Sequence, residues 1–167
     1  MENRKIRKIG LYEISVILFF LIIPIVGGIV EVLLFPSAAG IFQTLFKWFV
    51  FSGLGLRLFS AGFKQAALPS FTAKEIFNLT DGKSFVIIRE LGFANICFGT
   101  IGILSFFFAE FRLAAAISGG LYLGTAGFMH FFRKRDHKTE TFAMVSDLFI
   151  FVVLLILGIM NYGELRV

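Results

Sequence analysis

The chain has 167 residues, 57% of them hydrophobic and only 16% charged, with 24 phenylalanines. A soluble domain carries about 25% charge, and here the apolar residues gather in runs about 20 residues long, enough to cross about 30 Å of hydrocarbon. Composition therefore excludes an ordinary soluble domain, and the net charge of +5, placed in short segments between the runs, argues for membrane topology and against nucleic acid as a partner.

The first run, about 11–35, follows the basic flank MENRKIRKIG with Arg4, Lys5, Arg7 and Lys8. Ser37 and Ala39 in FPSAAG fit a small-residue cleavage site, but a run of this length carrying Glu31 is expected to stay as an uncleaved anchor. A bend is expected near Pro24 and Gly27-Gly28. The second run, about 40–63, holds Gln43, Lys47 and Arg57. Glu31 and Lys47 can pair near one membrane face or reach the headgroups separately.

The one long connection, QAALPSFTAKEIFNLTDGK, joins the second run to the third. Pro69 ends the preceding helix, Thr72 with Glu75 matches a capping box, and Asp81-Gly82 is a turn. These signals predict a short interfacial helix over 73–79, with Ile76, Phe77 and Leu79 toward lipid. Asn78-Leu79-Thr80 matches a glycosylation sequon, which a cytoplasmic loop would not present to that machinery.

The third run, about 84–108, contains RELGFAN, which places Arg89, Glu90 and Asn95 inside apolar sequence. Gly92, Asn95, Gly99 and Gly102 share a helix face, and so do Ala116, Gly120, Gly124 and Gly127 on the fourth run, about 111–132. Small residues at such spacing let backbones approach, so the third and fourth helices are expected to pack through these stripes; a pore lining is the alternative. The fifth run, about 142–160, follows the basic segment HFFRKRDHKTE and carries Asp147.

Five transmembrane helices and a short interfacial helix thus make an all-α integral membrane bundle, one domain over residues 1–167. The basic flank, the Lys64–Lys83 connection and the Arg133–Lys138 connection then share one side, which places the N-terminus in the cytoplasm of a cell-membrane protein. Helical rise puts Arg57, Arg89, Glu90, His130 and Asp147 at one level, within about 9 Å of the cytoplasmic boundary. Charges there are costly and tend to pair. The cluster is expected to be either a clamp that fixes helix order or a site for a solute, ion or proton.

No catalytic residue, cofactor or metal is expected. There is no Gly-rich phosphate loop, zinc-protease helix or serine nucleophile elbow. His130 and His137 lie seven apart, and Cys97, the sole cysteine, is mid-span and reads as a small apolar residue. The expected partners are the lipid bilayer and either a membrane-protein partner or a second copy of the chain.

Five blocks, GLGLRLFSAGFKQ, PSFTAKEIF, RELGFAN, GGLYLGTAGFMH and AMVSDLF, resemble an uncharacterised family of small polytopic prokaryotic membrane proteins catalogued as a domain of unknown function. The likeness covers about 47–154 and implies no activity. A looser resemblance links Gly62, Lys64, Glu90, FRLAAA and the span-ending His130 to DoxX-like membrane proteins, some of which accompany quinone-linked oxidoreductases; the additional first span departs from that pattern. The role these readings imply is a non-enzymatic accessory or partner-binding membrane subunit, with a small-solute or ion carrier as the alternative.

Overall fold

A computed structural model describes residues 10–35, 40–132 and 138–164, and among these every regular element is helical. The basic N-terminal flank, Ser37 and Ala39, the connection 133–137 with His137, and Arg166 lie outside the described residues. Helix α1 is Leu11–Leu34, α2 covers 41–67, α3 is Pro69–Glu75, α4 is Ser84–Phe107, α5 is Glu110–Phe131 and α6 is Lys138–Glu164. Three helices, Leu11–Leu34, Ser84–Phe107 and Thr139–Asn161, are long and apolar enough to cross a membrane. Helix α2 is interrupted by a wider turn and carries Lys47, Arg57 and Lys64, while four glycines with Ser118, Thr125 and Tyr122 dilute the apolar content of α5.

The long helices run alternately up and down. Helix α2 is central: Val50, Ser52, Leu54 and Leu58 are buried against α1, α4, α5 and α6. The outer surface is apolar, with Val86, Phe93, Leu121, Phe128, Val152 and Ile159 all exposed. Contiguous apolar surface on this scale is characteristic of a membrane or an interface rather than of water contact.

Two π-type segments, Leu18–Ile22 in α1 and Val50–Leu56 in α2, widen the helices where they touch. The α1 segment has a covalent cause. A proline at position 24 removes an N–H and its ring clashes with the carbonyl four residues back, and a shift to i→i−5 bonding, seen as Ile23 N–H to the Leu18 carbonyl, relieves this. In that register position 24 would donate to the Phe19 carbonyl, and the Ser52 hydroxyl donates there instead at 2.7 Å. The irregularity therefore precedes Pro24, and Gly27-Gly28 has a different role from the expected bend. A Cβ on Gly27 would come within 2.5 Å of the Trp48 ring, so this pair seats α2 against α1.

The glycine stripe of α4 faces α2, not α5. A Cβ on Gly92 would lie 2.7 Å from the Ala66 nitrogen, one on Gly102 2.6 Å from the Gly55 nitrogen, and one on Gly99 would strike the Phe59 backbone. Gly62 answers from α2, where a Cβ would be 2.5 Å from the Gly92 carbonyl. The α5 stripe faces α6, with Gly124 under the Phe151 ring and Gly127 under Leu148. Helices α4 and α5 meet elsewhere, through the stacked rings of Phe98 and Tyr122 at 5.3 Å. Helical spacing defines a face but carries no information on which helix meets it.

The interfacial helix is also displaced: α3 spans Pro69–Glu75, not 73–79. Proline suits the first helical turn, where no N–H is needed, so Pro69 opens this helix as well as ending α2. Thr72, expected as a cap, is buried mid-helix, and its carbonyl receives the Ile76 and Phe77 N–H groups at 3.2 Å each. Asn78 in the left-handed region (φ 54°) and the Leu79 N–H to Ala73 carbonyl bond, 2.8 Å, stop the helix. Ile76 consequently turns inward and is buried, whereas Leu79 is exposed.

Candidate functional site

A partly enclosed cavity of about 390 Å³ lies at the end of the bundle where α1 begins, between α1, α2, α3, α4, α5 and α6. Its polar lining is drawn from separate helices: Tyr12 from α1, Arg57 and Lys64 from α2, Asn95 from α4, Tyr122 and His130 from α5, and Asp147 from α6. The close α2–α4 approach at Gly62 and Gly92 brings Asn95 to the side chain of Gln65, with Asn95 Nδ2 donating to Gln65 Oε1 at 2.6 Å. Asn95 is thus part of the cavity wall as well as of the α4 stripe.

Arg57 directly follows the π-type segment of α2. Its terminal nitrogen donates to the Tyr12 hydroxyl at 3.3 Å, and its guanidinium lies 5.4 Å from the Tyr12 ring and 6.0 Å from that of Phe20. Tyr12 is itself fixed against Phe71 and Phe142. Asp147 is 8% exposed, and its Oδ1 has no hydrogen-bond partner; nor have Arg57 Nε and Asn95 Oδ1. Arg57 is the cation whose field reaches Asp147, yet no direct ion pair joins them. Both charges act on Tyr12 and on Tyr122, and the Tyr122 hydroxyl faces Asn95, so these five side chains occupy one neighbourhood.

Of the five residues placed at one depth by sequence, the cavity gathers Arg57, His130 and Asp147. Arg89 and Glu90 are exposed on the outer side of α4, with Arg89 Nε donating to the Ala66 carbonyl at 3.2 Å. Glu90 is not the acidic partner in this region; Glu140 is. Its Oε1 lies 3.2 Å from His130 Nδ1 with both side chains buried, and Phe77 stacks on the His130 ring. Glu140 precedes the fifth apolar run, so hydropathy alone assigned it to a loop. Lys64, which charge placement puts in a connection, sits 3.3 Å from the centre of the Phe71 ring at the cavity edge. Among the described residues no cluster of His, Cys, Asp and Glu could hold a metal ion.

At the opposite end Glu31 and Lys47 form the ion pair that spacing allowed, and Trp48 Nε1 donates to the second Glu31 oxygen at 2.8 Å. Lys47 also lies 5.0 Å from the Phe106 ring. This knot joins the far ends of α1, α2 and α4.

The fold and site define an all-helical protein with a polar cavity inside an apolar exterior. Residues 14–166 match a family of unknown function, DUF6790, and the chain belongs to that family. No curated protein and no solved structure matches the chain. The family assignment agrees with the first of the two resemblances in that the family is one of unknown function; the DoxX-like likeness is not part of it.

Proposed function

We propose that this is a five-span protein of the cell membrane, N-terminus in the cytoplasm, that binds a small polar solute in the α1–α6 cavity and carries it across or delivers it to the bilayer's inner side. The observation that carries this reading is the convergence of three partnerless polar atoms, Arg57 Nε, Asn95 Oδ1 and Asp147 Oδ1, in one cavity neighbourhood. A clamp alone would bring Arg57 onto Asp147, as Lys47 is brought onto Glu31, because an unpaired buried charge is costly. Held apart, they suit an occupant better than a structural strut. The positively charged connections support the orientation, and the apolar exterior supports the bilayer as partner.

Flux of small radiolabelled polar solutes into proteoliposomes of the pure protein tests the proposal. Uptake is expected, and Ala126→Phe, which fills the cavity from α5, is expected to abolish it while the protein still elutes as a single folded species. Uptake equal to that of protein-free vesicles for every solute would overturn it.

A second reading, an accessory subunit that receives a partner's helix or a second copy of the chain, draws on the shallow apolar groove of about 360 Å³ between α5 and α6, which Gly120 and Gly158 help to line. A stoichiometric companion in mild-detergent purification would favour it. A redox partnership, which the DoxX-like resemblance implies, belongs to this reading and would require that companion to be an oxidoreductase.

A further inference from the structure

We infer that the cavity's occupant is a compact zwitterion, a small molecule carrying one ammonium and one carboxylate. This rests on the solute-binding reading above and narrows it to a chemical class.

The lining supplies both signs of charge, unpaired with each other, in one enclosure. Arg57 and Lys64 stand seven residues apart on α2, hence on one helix face, and both line the cavity. Arg57 uses one terminal nitrogen on Tyr12 and keeps Nε free, while Lys64 rests on the Phe71 ring. A carboxylate is the ligand group that matches a guanidinium fork beside an ammonium. Asp147 Oδ1 and Asn95 Oδ1 are acceptors without donors, and a ligand ammonium brings three N–H groups. Of the other ionisable groups in the cavity wall, Tyr12 holds Arg57, the Tyr122 hydroxyl faces Asn95, and His130 is held by Glu140 behind it.

Simpler ligands fit less well. A plain anion would satisfy Arg57 and Lys64 but leave the Asp147 and Asn95 acceptors without a donor, and a plain cation would supply those donors with two cations unanswered. A neutral polyol could hydrogen-bond throughout but would compensate neither charge, and burying uncompensated charge is the largest cost in a low-dielectric site. The cavity volume of about 390 Å³ is at the small end of ligand pockets. Its remaining walls include Phe71, Phe77 and Leu123, which would accept a short apolar side chain.

The test uses the full chain purified in detergent, with glycine, β-alanine and γ-aminobutyrate as zwitterions of increasing charge separation, propionate and propylamine as single-charge probes, and glycerol as the neutral control. Thermal unfolding and calorimetric titration read the result. At least one zwitterion is expected to raise Tm and to bind at least tenfold more tightly than either single-charge probe. Asp147→Asn and Arg57→Gln are each expected to weaken that zwitterion at least tenfold and to bring its affinity to that of the matching single-charge probe. Tyr12→Phe, which removes only the hydroxyl holding Arg57, serves as the milder variant should either substitution prevent folding, and is expected to weaken the zwitterion as well. Propionate or propylamine binding as tightly as every zwitterion would overturn the class while leaving the solute cavity intact. So would glycerol uptake, blocked by Ala126→Phe, without binding of any charged probe. Neither binding nor uptake of any probe would overturn both, leaving Arg57 and Asp147 as a hydrated charge pair only.

Discussion

Glu140 and Glu90 lie at the same end of the molecule in opposite surroundings. The first is 3% exposed beside His130, the second is exposed on α4. Removing one partner of a buried hydrogen bond strands the other and costs about 1–3 kcal/mol, whereas a surface substitution stays within about 0.5 kcal/mol. Glu140→Ala should therefore lower thermal stability in detergent clearly, and Glu90→Ala should barely change it; the reverse ranking would return the acidic role to RELGFAN. Arg57, His130 and Asp147 line one cavity, and a fixed rise per residue is what lets sequence put them at one level. Depth says nothing of which side of the helix a residue occupies, and Arg89 and Glu90 face outward. Glu140 was hidden for another reason: the helix starts at Lys138, several residues before the apolar run that hydropathy detects.

At the scale of elements, two devices hold the helices together. In the first, backbone approaches backbone at Gly55, Gly62, Gly92 and Gly102 between α2 and α4. Gly62→Ala would press a methyl group onto the Gly92 carbonyl, and overpacking of this kind costs about 1–3 kcal/mol. Gly120→Ala would meet only the tip of Leu154 at 3.8 Å. A clear loss of Tm for Gly62→Ala and near-neutrality for Gly120→Ala are expected from parallel melts in detergent. Small-residue stripes were legible in sequence, but their partners were not, since α2 contributes its glycines at the spacing of Gly55 and Gly62 within a segment whose π-type turn shifts the helical phase. The second device is the Ser52 hydroxyl on the Phe19 carbonyl. Ser52→Ala should cost about 1–3 kcal/mol by stranding that carbonyl. Pro24→Ala supplies an N–H to the same carbonyl, so adding it to Ser52→Ala should recover part of the loss, and a double-mutant cycle should show the two changes to be non-additive. Strict additivity would separate the π-type turn from Pro24.

For the whole molecule, an apolar exterior surrounds a polar cavity at one end and a Glu31–Lys47–Trp48 knot at the other. The proposed orientation puts the cavity on the cytoplasmic side, and reporter fusions are expected to find the N-terminus inside and the C-terminus outside; both termini on one side would contradict five spans. Cysteine labelling in a Cys97→Ser background tests whether the cavity is water-accessible and open toward the cytoplasm. Ala126→Cys lines the cavity and Leu121→Cys lies on the apolar exterior of the same helix. In oriented membrane vesicles, a membrane-impermeant maleimide is predicted to modify Ala126→Cys from the cytoplasmic face alone and Leu121→Cys from neither face. An Ala126→Cys protein that stays unmodified from both faces, or reacts only from the outer one, would rule out a cavity open to the cytoplasm.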